Sequence, residues 1–449
     1  MAALDTPAVR TNPLLGEALA LKHDFLATIE QARAEHGDVV HIPVGPKPLG
    51  RSLLAVFHPD GVQQVLSGDR GAFHKDTPVN KEMRASLGDG LLTSEGDRWV
   101  AQRRIMQPLF TRPKVRTFTD LMVEAAADAA DRWAASDEPV DLGREMTAYA
   151  TVVVGRAIFG SDLTDLVDVF TDHVPTVNAL TLKRAFNPIP LPRSVPTREN
   201  RRLNAASAEV ERVVDLLIEG RIRTGERQDD LVSMLLDATD PETGEGLSPT
   251  EIRDQVLVTL AAGHDTTATA MAFALFLLGH NPDWQERAHA HVDEVLGDRA
   301  ADAGDERNLD LVERIAKEAM RLYPSAYVTG RIAVHDTEIL GHPVKAGQEV
   351  IVSPWVTQRH PDLWDDPTTF DPDRFLPEAD KARHRYAWFP FGGGPRLCVG
   401  IHFSMLEQVL GLATILQRVE LRSLVDDVDL ETGITLIPSS PVLTEVTAR

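Results

Sequence analysis

The residues best equipped for chemistry lie in one ten-residue stretch, Phe391-Gly-Gly-Gly394-Pro-Arg396-Leu-Cys398-Val-Gly400. Cys398 is the only cysteine among 449 residues, which rules out an internal disulfide and a zinc site of several thiolates. The glycines before it suit a tight loop whose backbone amides can approach a sulfur or a ligand closely. An apolar helical run from Ile401 to about Leu416 follows. Its positive end would lie near Cys398 and is expected to lower the thiol pKa. A thiolate held this way, with Arg396 two residues before it, is suited to ligate haem iron. Two other readings stay open from these residues alone: a small buried hydrophobe in a turn, and a nucleophile awaiting a base from elsewhere in the chain. A phosphate-cradling loop is not among them, because Val399 and Gly400 stand where a lysine and a hydroxyl residue are needed.

A second constellation, Ala262-Gly263-His264-Asp265-Thr266-Thr267, interrupts an otherwise apolar helical stretch. An acid and two hydroxyls there are costly unless hydrogen-bonded. Threonine bonding back to the carbonyl one turn earlier would meet part of that need. Three further pairings carry charge at helical spacing or in a tight turn. Trp99 and Arg103 are i, i+4 neighbours on one face, and Glu318 and Arg321 are i, i+3 neighbours. Phe370-Asp-Pro-Asp-Arg374-Phe375 follows about fifty residues later. Each pairing alone is also what a solvated helix or a stacked Trp–Arg pair would show.

The elements that must position these residues are mostly helical. Ser248-Pro249-Thr250-Glu251 is a capping-box pattern with proline at the first helical position. It predicts a buried central helix to about Gly279, carrying Asp265 and Thr266. Helices are also predicted from His58 to Leu66, Val115 to about Gly160, Asp162 to Leu182, Thr197 to about Thr224, and Asp310 to Tyr323, where Pro324 ends the last. Short strands are expected at Asp38–Pro43 and Ser52–Phe57, around a Gly/Pro-rich turn at Gly45–Gly50, in the stretch 328–349, and at Ile434–Ile437 and Val442–Val446. Residues 68–96 show no sustained period and read as an irregular segment of the kind that often serves function. The proline-dense run 187–196 forbids helix and reads as an extended linker.

Composition narrows the class. A net charge of −22 argues against nucleic acid as a partner. The most apolar stretch, Ala270 to Gly279, is too short to span a bilayer, so no membrane anchor is expected. A lone cysteine fits a reducing, cytoplasmic setting.

The spacing Phe-x-x-Gly-x-Arg-x-Cys-x-Gly, met by Phe391, Gly394, Arg396, Cys398 and Gly400, resembles the haem-binding signature of the cytochrome P450 family. The motifs at Trp99/Arg103, Ala262–Thr267, Glu318/Arg321 and Phe370–Phe375 occur in that family's order and approximate spacing, across residues 99–400. The resemblance implies a mostly α cytochrome P450 fold with a small β region, in a single domain over 1–449. It implies haem b, with Cys398 as iron ligand and Trp99, Arg103, Arg331, Phe391, Arg396 and Gly400 around the cofactor. Glu318, Arg321 and Arg374 would form a buried network holding the cysteine loop. Asp265 and Thr266 would deliver protons during monooxygenation, where the family's central helix loosens to admit dioxygen, and Gly263 would leave room for it. The retained acid–alcohol pair points to dioxygen with external electrons, from a ferredoxin-type partner and its reductase, since the chain is too short for a fused reductase. Arg104, Arg112, Lys114, Arg116 and the cations at 381–385 would serve docking. Alanine at 262 makes covalent haem attachment unexpected.

Substrate-facing positions are expected in segment 70–92, in a lid at 170–200, at Leu260, Ala261, Ala326 and Val328, and near the turn 437–442. Their apolar or small side chains suggest a lipophilic molecule: a terpenoid, fatty acyl chain, polyketide or modified peptide, hydroxylated, epoxidised or oxidatively coupled. A haem-thiolate sensor without turnover and an apo structural protein are the readings from other classes. The acid–alcohol pair argues against the first, and a visible spectrum separates the second.

Overall fold

Helices carry most of the chain, and the ones that build the site are α1 (Pro78–Leu87), α2 (Gly96–Met106), α3 (Thr119–Ala134), α4 (Leu142–Phe159), α5 (Thr164–Ala185), α6 (Arg198–Thr224), α7 (Pro249–His280), α8 (Asp310–Leu322) and α9 (Ile401–Leu416). These come from a computed structural model, in which residues 6–9, 17–45, 51–68, 71–160, 164–185, 187 and 191–449 are described. Residues 1–5 and 10–16, most of the Gly45–Gly50 turn, the first residue of segment 70–92 and part of the proline-dense run fall outside them.

The central helix α7 starts as its capping box predicts. The Ser248 hydroxyl accepts from the Glu251 amide, and the Glu251 carboxylate accepts from the Ser248 amide at 3.0 Å. Every residue from Ala268 to Leu278 is buried, so the C-terminal half of α7 meets core on all sides. α4 lies along it, while α3 packs on α9, and the largest apolar cluster joins Met146, Met271, Phe273, Ile315 and Leu410 from four of these helices. Phe273 stacks flat on Tyr323, with ring centroids 4.0 Å apart.

The main sheet contains β1 (Val39–Val44), β2 (Arg51–Val56), β3 (Phe73–His74), β4 (Thr329–Ala333) and β5 (Glu349–Val352). Its order is β1-β2-β5-β4-β3, with β2 and β5 parallel and the other pairs antiparallel. This register brings Lys75, just after β3, and Arg331 on β4 to the same edge of the cavity described below. Smaller sheets pair Val140–Asp141 and Val419–Ser423 with Leu443–Ala448, and Leu430–Thr432 with Leu436–Pro438.

Three differences from the sequence expectations stand out, the first two with a local cause. The segment expected to be irregular contains α1, whose Thr77 hydroxyl accepts from the Asn80 amide, with Pro78 at its first position and Gly88 ending it at φ +78°. The helix expected across Val115–Gly160 divides into α3 and α4, because Pro139 introduces the strand Val140–Asp141 and Asp141 then caps α4. The central helix is α-helical without interruption through Ala262–Thr267. Among the described residues, no helix is long and apolar enough to cross a membrane.

Candidate active site

The cysteine loop is held by its own backbone. The Cys398 amide donates to the Phe391 carbonyl at 3.0 Å, closing the loop, and Leu397 donates to Gly394 at 3.1 Å. Gly394 has φ +65°, and a Cβ there would collide with the Leu66 carbonyl, so only glycine fits. Helix α9 begins three residues after Cys398, at Ile401. The thiol lies deep among protein atoms, with its accessible surface on an internal cavity. Burial pushes its pKa above the ordinary value, against the Gly400 amide and the Arg103 guanidinium, which pull it down. This corrects the expectation of a lowered pKa: in the protein alone, desolvation exceeds the local positive field, and the thiolate form needs a metal ion's charge.

A buried charge network fixes the loop from behind. Glu318 and Arg321 are fully buried and pair through Nε–Oε2 at 2.6 Å and Nη2–Oε1 at 2.7 Å. Arg321 also donates to the carbonyls of Gln358, Pro367 and Thr369. Arg374 Nε stands 3.4 Å from Glu318. Gln358, which the sequence reading missed, donates to the Met320 and Arg321 carbonyls and accepts from the Phe389 amide. The strand of residues entering the cysteine loop is thereby tied to the end of α8.

The thiol faces a cavity of about 520 Å³, which Trp99, Arg103, Arg331, Phe391, Arg396 and Gly400 also line. Positive charge gathers on its wall. The Arg396 guanidinium lies 4.2 Å from the Trp99 ring centroid, pairs with Glu95 at 2.7 Å and donates to the Ser94 carbonyl. Arg103 donates to the Leu397 carbonyl at 3.0 Å, beside the thiol. Lys75, which no motif announced, donates to the Leu92 carbonyl at 2.9 Å and lines the same cavity. Burial, reinforced by Arg331 and Arg396, pulls Lys75 down to about 7. Burial, with Arg396 as the next cause, pulls Arg331 down to about 10. Glu95 is the one carboxylate acting on all three. Such a buried excess of cations is stable only when anionic groups join it. A cavity with one thiol and surplus cations is thus chemically matched to a haem, which brings an iron for sulfur and two carboxylates for the cations.

The opposite wall is α7. The Thr266 hydroxyl lines the cavity and donates to the Ala262 carbonyl at 2.6 Å, and Ser325 donates to the Thr266 carbonyl. Thr267 lies 3.3 Å from the Ser404 hydroxyl, and Gln408 donates to Ser404. Glu407, fully buried behind them, has its pKa held far above the ordinary carboxyl value by desolvation, with Thr267 bonding to it. Asp265 does not line the cavity. Its Oδ2 accepts from Asn178 Nδ2 on α5 at 2.8 Å, and its Oδ1 is 2.6 Å from His264 Nδ1 in poor hydrogen-bond geometry.

Gly263 lines the cavity, and a Cβ there would clash with Val154 of α4, so its bareness also serves the close approach of two helices. One expected position needs correction. Leu260 packs in an apolar cluster with Val154, Val256 and Leu257 instead of facing the cavity, because it lies on the other side of α7. Ala261, Ala326 and Val328 line the cavity. Of the two broader stretches, residues 75–92 and Asn178, Leu182 and Ala185 of the lid contribute, while Gly433–Thr435 do so in place of the turn at 437–442.

Fold and cavity together define a haem monooxygenase with thiolate ligation. The chain belongs to the cytochrome P450 family, whose model, described as Cytochrome P450, matches residues 7–445. Cyclooctatin synthase of Streptomyces melanosporofaciens is 37% identical over 91% of this chain and 88% of its own length. Cyclooctat-9-en-7-ol 5-monooxygenase of the same organism is 35% identical over 91% and 88%, and pentalenene oxygenase of Streptomyces avermitilis is 33% identical over 90% and 89%. The crystal structure of the cytochrome P450DA haem domain superposes with TM-score 0.91 at 28% identity, covering 100% of this chain and 99% of that one. The protein is an oxidoreductase with haem as cofactor, and it oxidises a lipophilic small molecule with dioxygen and externally supplied electrons.

Proposed function

We propose that Cys398 is the haem iron's protein ligand, and that Lys75, Arg331 and Arg396, with Trp99 beneath Arg396, hold the haem carboxylates. The observation that carries this is the opening of one thiol and a cation cluster that Glu95 only partly offsets onto the same cavity. When bound, a cysteine-ligated haem supplies reductive activation of dioxygen and transfer of one oxygen atom to an organic substrate. Arg103 steadies the thiolate's charge from beside it, held there by its bond to the neighbouring Leu397 carbonyl.

Thr266 is the hydroxyl placed to hand a proton into the cavity, and Asp265 is the acid placed to resupply it once its carboxylate turns from Asn178. Ala261, Ala326 and Val328 give the substrate an apolar wall, and Phe391 covers the cysteine side. A terpene-like substrate of specialised metabolism accords with the names of the three Streptomyces relatives. Residues 1–449 act as one domain in this reading, in the cytoplasm, with a ferredoxin and its reductase as the electron source.

The reduced carbon monoxide complex should show the strongly red-shifted Soret band of thiolate ligation, and Cys398→His should lose it. A histidine-type spectrum in the natural protein would refute the assignment. Thr266→Ala should keep that band yet release most electrons as hydrogen peroxide, and an unchanged product yield would remove Thr266 from proton delivery.

A further inference from the structure

The amide of Asn178 is held in one orientation. In its ionised form Asp265 can only accept, so the Asn178 group facing it at 2.8 Å is then the NH₂. That leaves Oδ1, and no protein donor among the described residues bonds to it. Asn178 is buried and lines the cavity. On the facing wall the hydroxyl hydrogens are already engaged, Thr266 on the Ala262 carbonyl and Thr259 on the Gln255 carbonyl.

We propose that Asn178 Oδ1 is the recognition point for a hydroxyl group on the substrate, so that this enzyme selects a lipophilic alcohol over the corresponding hydrocarbon. The proposal rests on reading the cavity as the substrate site. Its chemistry follows from the partner: an acceptor in apolar surroundings goes unpaired beside a hydrocarbon and is satisfied by a hydroxyl. An ammonium is a poorer match. It would surrender its hydration to a single neutral amide, while the nearby carboxylate is already bonded to that same amide. The geometry also links recognition to the acid of the relay. α5 packs mainly on α6 and α1, and the Asn178–Asp265 bond is a direct polar tie between α5 and α7. A ligand pulling on Oδ1 acts through one side chain on the Asp265 carboxylate.

The test uses the haem-loaded protein and matched terpenoid probes of ten, fifteen and twenty carbons, each as hydrocarbon and as monohydric alcohol, with cedrane and cedrol as the fifteen-carbon pair. Binding is read from the spin-state change in the visible spectrum. The alcohols should bind about tenfold more tightly than their hydrocarbons. Asn178→Leu should abolish the difference while leaving hydrocarbon affinity the same or better. Asp265→Asn, which leaves the cavity wall untouched, should shrink the preference because the Asn178 amide can then turn either way. Melting temperatures of both variants guard against misfolding, and Asn178→Ser, with a shorter acceptor, should retain part of the preference. Equal affinities in the natural protein, a preference that survives Asn178→Leu, tighter binding of an amine analogue, or no response to any alcohol would each overturn the proposal. The carbon monoxide spectrum of the same preparation separates this failure from failure of the haem assignment.

Discussion

Lys75 carries a proton that the fold alone disfavours. Its pKa falls to about 7 because burial and the neighbouring Arg331 and Arg396 both act against the ammonium. The sign follows from linkage. Between about pH 7 and 10 the unfolded chain binds a proton that the folded, haem-free chain does not, so stability should climb with pH across that window. Below pH 7 the side chain is charged in both states, and the full cost of burying it remains. Lys75→Met should therefore flatten the climb in denaturant unfolding of haem-free protein at pH 7, 8.5 and 10. In the loaded protein the same substitution should speed haem loss to apomyoglobin several-fold, since an anion partner is lost. Haem loss at the natural rate would remove Lys75 from the cofactor's anchors. Nothing in the sequence pointed to this residue, because its significance lies in three cations meeting from β3, β4 and the cysteine loop, far apart in the chain.

At the scale of elements, the contrast between two polar links shows what a sequence can express. Glu318, Arg321 and Arg374 were legible because helical spacing and a nearby tight turn are local patterns. The Asn178–Asp265 tie spans 87 positions and joins two helices, so no local pattern encodes it. Helix α1 was hidden for a different reason: its positions outside the core mix Lys81, Glu82 and Arg84, and only the Thr77-Pro78 start carried a signal. Gly263 was legible as a glycine, but its packing against Val154 was not, since that side chain belongs to α4. The buried pair also permits an energetic prediction. Arg321→Met would leave the Glu318 carboxylate without its main partner and free three carbonyls, at a cost of about 3–5 kcal/mol. The variant should unfold well below the natural protein in urea and retain little haem. An unchanged midpoint would mean that Gln358 alone holds the cysteine loop.

Over the whole molecule, a net charge of −22 makes a cluster of exposed cations beside the cysteine loop conspicuous. Several that looked available are committed. Arg104 pairs with Asp240 and Glu242, and Arg116 faces Glu306 at 3.5 Å. Arg383 pairs with Asp380 and stacks on Trp364. Arg112 and Lys114 stay exposed and form no ion pair among the described residues. Their short helix, Arg112–Val115, packs against α9, and Arg112 acts on His402 in the first turn of α9, four residues from Cys398. An acidic ferredoxin docking there would meet local positive charge on an otherwise repelling surface, close to the thiol. Complementary charge of this kind mainly raises the association rate, and salt screens it beyond about 10 Å at 0.1 M. Reduction by ferredoxin and its reductase should therefore slow as salt rises. Arg112→Glu with Lys114→Glu should slow it roughly tenfold at low salt, and the gap to the natural protein should close as salt approaches 0.5 M. A gap that persists at high salt would point to lost packing on α9, and no gap at any salt would move the electron entry point elsewhere, with Lys381 and Arg385 the next exposed cations to reverse.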